Sequence, residues 1–143
     1  MSAGEKLYIV VVGCGQFGSY LAGRLSHEGH AVVAIDINPA ALDGLPAEYS
    51  GFRIEGDATE FAVLREAKVD KADLLIAATR EDNVNLMAAQ VARRLFHVPR
   101  VLARVFDPRR EQVYRLLGVE SVSPTVVAGD LMLKAVAEAA QPK

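Results

Sequence analysis

Short runs of Val, Ile, Leu and Ala recur along the chain at residues 7–12, 31–36, 51–55, 72–78, 100–105 and 120–123. Each is short and largely apolar, and helix-period segments separate them, the pattern of strands buried on both faces of a parallel sheet. The first intervening helix is expected at about residues 16–28. Three later ones carry start signals: Asn38-Pro39, Thr59 with Glu60, and Asp107-Pro108 each pair a cap acceptor with a residue suited to a first turn. The predicted fold is α/β, a Rossmann-like, doubly wound, six-stranded parallel sheet in a single domain with a core at about residues 7–124.

The segment at about 125–140 breaks the alternation. Val126, Val127, Leu131, Leu133, Ala135, Val136 and Ala139 make a helix apolar on more than one side, while Asp130, Lys134 and Glu138 mark one polar stripe. Such a helix either packs back on its own sheet or crosses to a second subunit.

Composition narrows the function. The chain has 143 residues and a formal net charge of -2, so no cationic footprint for nucleic acid is present. The single cysteine, Cys14, excludes an intramolecular disulfide framework and fits a reducing compartment. His27, His30 and His97 lack metal-ligand spacing, and no metal is assigned. No secretory h-region and no membrane-length apolar run occurs, so a cytoplasmic location is expected, with any membrane connection made through a partner. A chain of this length suits one nucleotide-binding domain without a separate catalytic domain.

The most informative stretch is Gly13-Cys14-Gly15-Gln16-Phe17-Gly18, directly after the first strand and opening the first helix. In G-x-G-x-x-G the first glycine permits a tight turn, the second lets the backbone approach a phosphate, and the third lets helix and strand pack closely. The helix N-terminus then offers free N–H groups and a positive dipole. Asp36 ends the second strand, where it can accept hydrogen bonds from ribose hydroxyls and would repel a 2′-phosphate, favouring NAD or an adenine nucleotide over NADP. Asp57, in Gly56-Asp57-Ala58-Thr59, reads either as a helix cap or as an acceptor for the adenine amino group. Thr79 stands at the carboxyl end of the fourth strand. Arg104, at the end of the fifth, is either a phosphate partner or half of a surface ion pair with Asp107 or Glu111. Cys14 reads as a small filler rather than a redox thiol, and the acids around Arg80-Glu81-Asp82-Asn83 need only a helix dipole to explain them.

Taken together, Ile9 to Gly18, Gly29 to Asp36, Gly56-Asp57-Ala58-Thr59, Ala77-Ala78-Thr79 with Asn85, Ala103-Arg104-Val105, and Gly118-Val119-Glu120 through Pro124 resemble the RCK-N family, also called KTN or TrkA-N. These are cytoplasmic nucleotide-sensing domains of potassium channels and transporters. The resemblance implies binding of NAD(H), AMP, ADP or ATP at Gly13, Cys14, Gly15, Gln16, Phe17, Gly18, Asp36, Ile37, Asp57, Ala58, Thr79 and Arg104. Asp36 would lie on the ribose, Asp57 near adenine and Arg104 near phosphate. It also implies a homodimer or a larger ring, packed through the last helix, and a membrane-embedded potassium channel or transporter subunit as partner.

Two positions depart from the family pattern. Gln16 is neutral where members that discriminate ATP often carry Arg, which favours NAD, ADP or AMP. Thr125 stands where some members place a cation-binding Glu, so that metal site is not carried over. With neither the second, smaller regulatory domain of many members nor a pore in its 143 residues, the chain is expected to act as a separate subunit or as one part of a larger assembly. The alternatives are a small NAD-dependent oxidoreductase and a regulator of a non-potassium transporter. Catalysis is disfavoured because no His, Lys or Tyr stands at the carboxyl ends of the strands: His27 and His30 flank a helix end, and Lys68 and Lys71 precede the fourth strand.

Overall fold

A computed structural model describes residues 4–142. Six parallel strands, β1 (Tyr8–Val12), β2 (Ala31–Asp36), β3 (Phe52–Glu55), β4 (Leu74–Ala77), β5 (Arg100–Arg104) and β6 (Glu120–Val122), form one sheet in the order β3-β2-β1-β4-β5-β6. The order reverses between β1 and β4, the Rossmann arrangement that leaves a crevice at the carboxyl ends of those two strands.

Alternation along each strand divides the core in two. Val10, Val12, Val33, Ile35, Leu75 and Val101 point to one face and pack with Leu64, Ala88, Ala92 and Tyr114, which belong to α3 (Phe61–Glu66), α4 (Asp82–Arg94) and α5 (Glu111–Leu116). Ile9, Val11, Val32, Ala34 and Ile76 point to the other and meet Ala22, Leu42, Leu45 and Tyr49, from α1 (Gln16–His27), α2 (Pro39–Asp43) and the loop after it. The middle of β1 is buried on both faces, which is why its sequence is continuously apolar instead of alternating. Ala88, Ala89 and Ala92 are fully buried, and their small side chains let α4 lie close to the sheet.

Element order follows the sequence pattern, and several boundaries move. β3 begins at Phe52 and β4 is confined to Leu74–Ala77. Ahead of β4, Val69–Lys71 close a 3-10 turn in which the Ala72 N–H donates to the Val69 carbonyl. Thr59 does not open α3: its hydroxyl and backbone N–H both donate to Asp57, and Glu60 occupies the cap position without a side-chain bond. Asp107-Pro108 open a 3-10 turn (Pro108–Arg110), and α5 starts only at Glu111.

The last helix, α6 (Pro124–Ala139), is capped by Ser123 and buries none of its residues. The option in which it packs back on its own sheet is therefore incorrect for the single chain: Leu131, Met132, Leu133 and Val136 are each about two-thirds exposed. No helix among the described residues is long and apolar enough to cross a membrane.

Candidate functional site

The glycine loop is built by steric necessity. Gly13 has φ of +96°, and a Cβ there would lie 2.8 Å from the Thr79 backbone nitrogen. Gly18 is tighter still, since a Cβ would lie 1.7 Å from the Gly13 carbonyl oxygen. These two glycines let β1, α1 and the end of β4 meet. Gly15 differs: nothing lies within 4 Å of where its Cβ would stand. The chain therefore leaves open the one position at which a phosphate would approach the backbone, at the N-cap of α1, where no side chain satisfies the first-turn N–H groups.

The loop is tied to the end of β2. The Gly13 N–H donates to the Ile35 carbonyl at 2.8 Å. Asp36 accepts the Cys14 N–H through Oδ2 at 2.7 Å and the Asn38 N–H through Oδ1 at 2.8 Å. Each carboxylate oxygen keeps a further acceptor direction, and the residue is only partly buried, so hydroxyl donors can still reach it. Cys14 faces inward; burial first, then the Asp36 charge, pushes its thiol up to about 12, which leaves it a neutral filler at physiological pH.

Asp57 stands apart from this pair. Its Oδ1 accepts the Thr59 hydroxyl at 2.7 Å and the Thr59 N–H at 2.9 Å, which together hold its carboxyl below the ordinary value. It closes an Asx turn instead of capping α3, and it makes no bond to the glycine loop among the described residues. Ala58 beside it is buried, while Ile37 is exposed at the end of β2.

The β4 and β5 ends are joined by Asn85, a fully buried polar residue on α4. Its Oδ1 accepts the Thr79 N–H at 2.9 Å and the Thr79 hydroxyl at 2.6 Å, while its Nδ2 donates to the Thr79 and Arg104 carbonyls, each at 3.0 Å. Arg104 forms neither expected ion pair: Asp107 is bonded to Arg109 instead. Its guanidinium carbon lies 4.9 Å from the Phe17 ring centre and 4.2 Å from that of Phe106, and its Nε is buried without a partner. Burial and the nearby Arg80 charge pull the group below its usual value, and Asp82 opposes them.

Asp82 does more than complement a helix dipole. Its carboxylate accepts the Phe106 N–H at 2.8 Å and the Asp107 N–H at 3.2 Å, fixing the loop after β5. Sequence reasoning assigned no site role to Phe106 or Asp82. The signal for Asn85 was present, because it occupies a core position at helical spacing with Ala88, Ala89 and Ala92. An open groove of about 500 Å³ runs from Gly15 and Gln16 between α1 and α2, lined further by Tyr20, Ala41, Gly44 and Glu48; Asp57, Thr79 and Arg104 lie outside its wall.

Residues 9–124 match the model of the TrkA-N domain family. Among curated relatives, the Trk system potassium uptake protein TrkA of Streptomyces coelicolor is 40% identical over 128 residues, which is 90% of this chain and 57% of that protein. The Kef CTD of Shewanella denitrificans, solved in AMP-bound form, is similar with a TM-score of 0.76 and 26% identity, covering 94% of this chain and 82% of that one. The TrkA-N domain of the inner membrane protein ybaL from Escherichia coli shares the fold, with a TM-score of 0.81 at 20% identity over 92% of this chain and 97% of that one. This chain thus spans little more than half the length of its Streptomyces relative.

Proposed function

This chain belongs to the TrkA-N domain family, and from that premise we propose that it is a regulatory domain that binds NAD(H) or an adenine nucleotide and controls potassium transport through a membrane-embedded partner. The observation that carries the reading is the combination of an open Gly15 at the α1 N-terminus with a partly buried Asp36 bonded to the same loop. A phosphate would take the free N–H groups of the first turn, and Asp36 would accept the ribose hydroxyls. Asp57 would lie near the adenine, Ile37 would offer an apolar surface, and Arg104 would supply the cation for phosphate. Gln16 is exposed and neutral beside that position, which favours AMP, ADP or NAD over a triphosphate.

Regulation requires two states of different nucleotide affinity, and a dimer supplies them if ligand alters subunit geometry. The exposed apolar face of α6 supports a homodimer built through that helix. The AMP-bound state of the similar Kef domain and the potassium-uptake role in the name of the Streptomyces relative point the same way. Mass spectrometry of nucleotide released from the purified protein tests the reading. An adenine nucleotide is expected; a preparation that releases none and takes up none when incubated with AMP, ADP or NAD would refute it.

A further inference from the structure

Arg104 is the one cation at the carboxyl ends of the strands themselves, and it makes no hydrogen bond or ion pair through its side chain among the described residues. Burial, the adjacent positive end of α1 and the nearby Arg80 all act against a guanidinium so placed, and the Asp82 charge acts in its favour without bonding to it. Two rings hold it: Phe17, in the first turn of α1, and Phe106, just after β5, have their ring centres 4.9 and 4.2 Å from the guanidinium carbon. Two aromatic quadrupoles thereby attract the cation without neutralising it.

The second plate is held with care. Phe106 is 40% exposed, yet its backbone N–H is bonded to Asp82 at 2.8 Å, and the next N–H goes to the same carboxylate. The Arg104 carbonyl is held by Asn85, one turn further along α4. The backbones that carry the cation and the second ring are thus both tied to α4.

We propose that Phe106 is a positioning residue of the nucleotide site, which with Phe17 holds the Arg104 guanidinium beside the α1 N-terminus so that it meets a phosphate in place. This rests on the nucleotide-binding reading given above and adds a residue to it. With the rings beside it, and Asp82 near but bonded to the backbone of the next loop, Arg104 has no acid bonded to its side chain that a bound phosphate would have to displace. The rings also keep the full positive charge available to the ligand.

Calorimetric titration of the full chain with AMP, ADP and NAD, with adenosine as the phosphate-free control, tests the inference in wild type, Phe106→Leu and Phe106→Tyr. Phe106→Leu should weaken the phosphate-bearing ligands about two- to fivefold, the range of one exposed cation–π contact, leave adenosine unchanged, and be rescued by Phe106→Tyr. Loss of AMP and adenosine affinity in equal proportion, or wild-type AMP affinity in Phe106→Leu at unchanged melting temperature, would overturn it. Failure of the parent reading looks different: wild type itself would then bind none of the nucleotides, or bind AMP no better than adenosine, and the positioning role would fall with it.

Discussion

Asp36 and Cys14 are joined across the sheet by a 2.7 Å hydrogen bond from the Cys14 backbone N–H to the Asp36 carboxylate. The acid that should read the ribose also fixes the loop that should read the phosphate. Asp36→Ala should therefore lower stability by about 1–2 kcal/mol, because two backbone donors lose their acceptor. It should also weaken adenosine-containing ligands by about 1–3 kcal/mol. Urea unfolding and calorimetry measure the two effects separately. A stability loss with unchanged affinity would show that the ribose is held elsewhere.

The glycines divide by role. Gly15→Val has open space to enter, at a φ of -68° that any residue adopts, so melting temperature should be retained while nucleotide binding is lost. Gly18→Ala meets the Gly13 carbonyl head-on and should cost about 3 kcal/mol or prevent folding. If Gly15→Val bound nucleotide normally, the loop would be a turn and nothing more.

Much of this was legible in the chain. The apolar runs and their spacing define every strand, and the glycine loop with Asp36 marks the crevice, because backbone sterics and strand burial act on local sequence. Boundaries were less legible where a side chain chose a non-helical bond, as when Thr59 donates to Asp57 instead of capping α3. Long-range pairs were hidden altogether. Nothing local distinguishes an Arg104 that pairs with Asp107 from one packed against Phe17 and Phe106, because the choice depends on how β1 and β5 are spaced in the sheet. Asn85 lies between these cases: its polarity at a core position signals a buried node, and only the fold shows that the node joins Thr79 to Arg104.

The Asp57–Thr59 turn has a pH signature. Its folded carboxyl is held below the ordinary 3.8, so it stabilises the fold above that value and ceases to do so as pH falls through the lower folded value. Thr59→Val removes the hydroxyl bond, which in this partly solvated turn contributes of order 0.5 kcal/mol. The stability gap between wild type and variant should be constant near neutrality and close below about pH 3.8. Thermal melts between neutral and strongly acidic pH would show it, and a gap that persists in acid would mean that the hydroxyl acts through another partner.

Met132 and Val136 lie one turn apart on α6, on the side opposite Asp130 and Lys134, and both are largely exposed. If this face covers a second copy, Met132→Glu should shift the protein from dimer to monomer in sedimentation. Secondary structure should not change, because no residue of α6 is buried in the single chain. Wild-type protein that sediments as a monomer at high concentration would remove α6 as a dimer contact.

The central claim is that an adenine nucleotide binds at the glycine loop. Calorimetric titration of the purified protein with AMP, ADP, ATP and NAD, repeated with Gly15→Val, tests it most directly. Saturable binding of at least one of them, at one site per chain, abolished in Gly15→Val at an unchanged melting temperature, is the predicted result. No binding of any of the four at millimolar concentration, or equal binding by the variant, would contradict it.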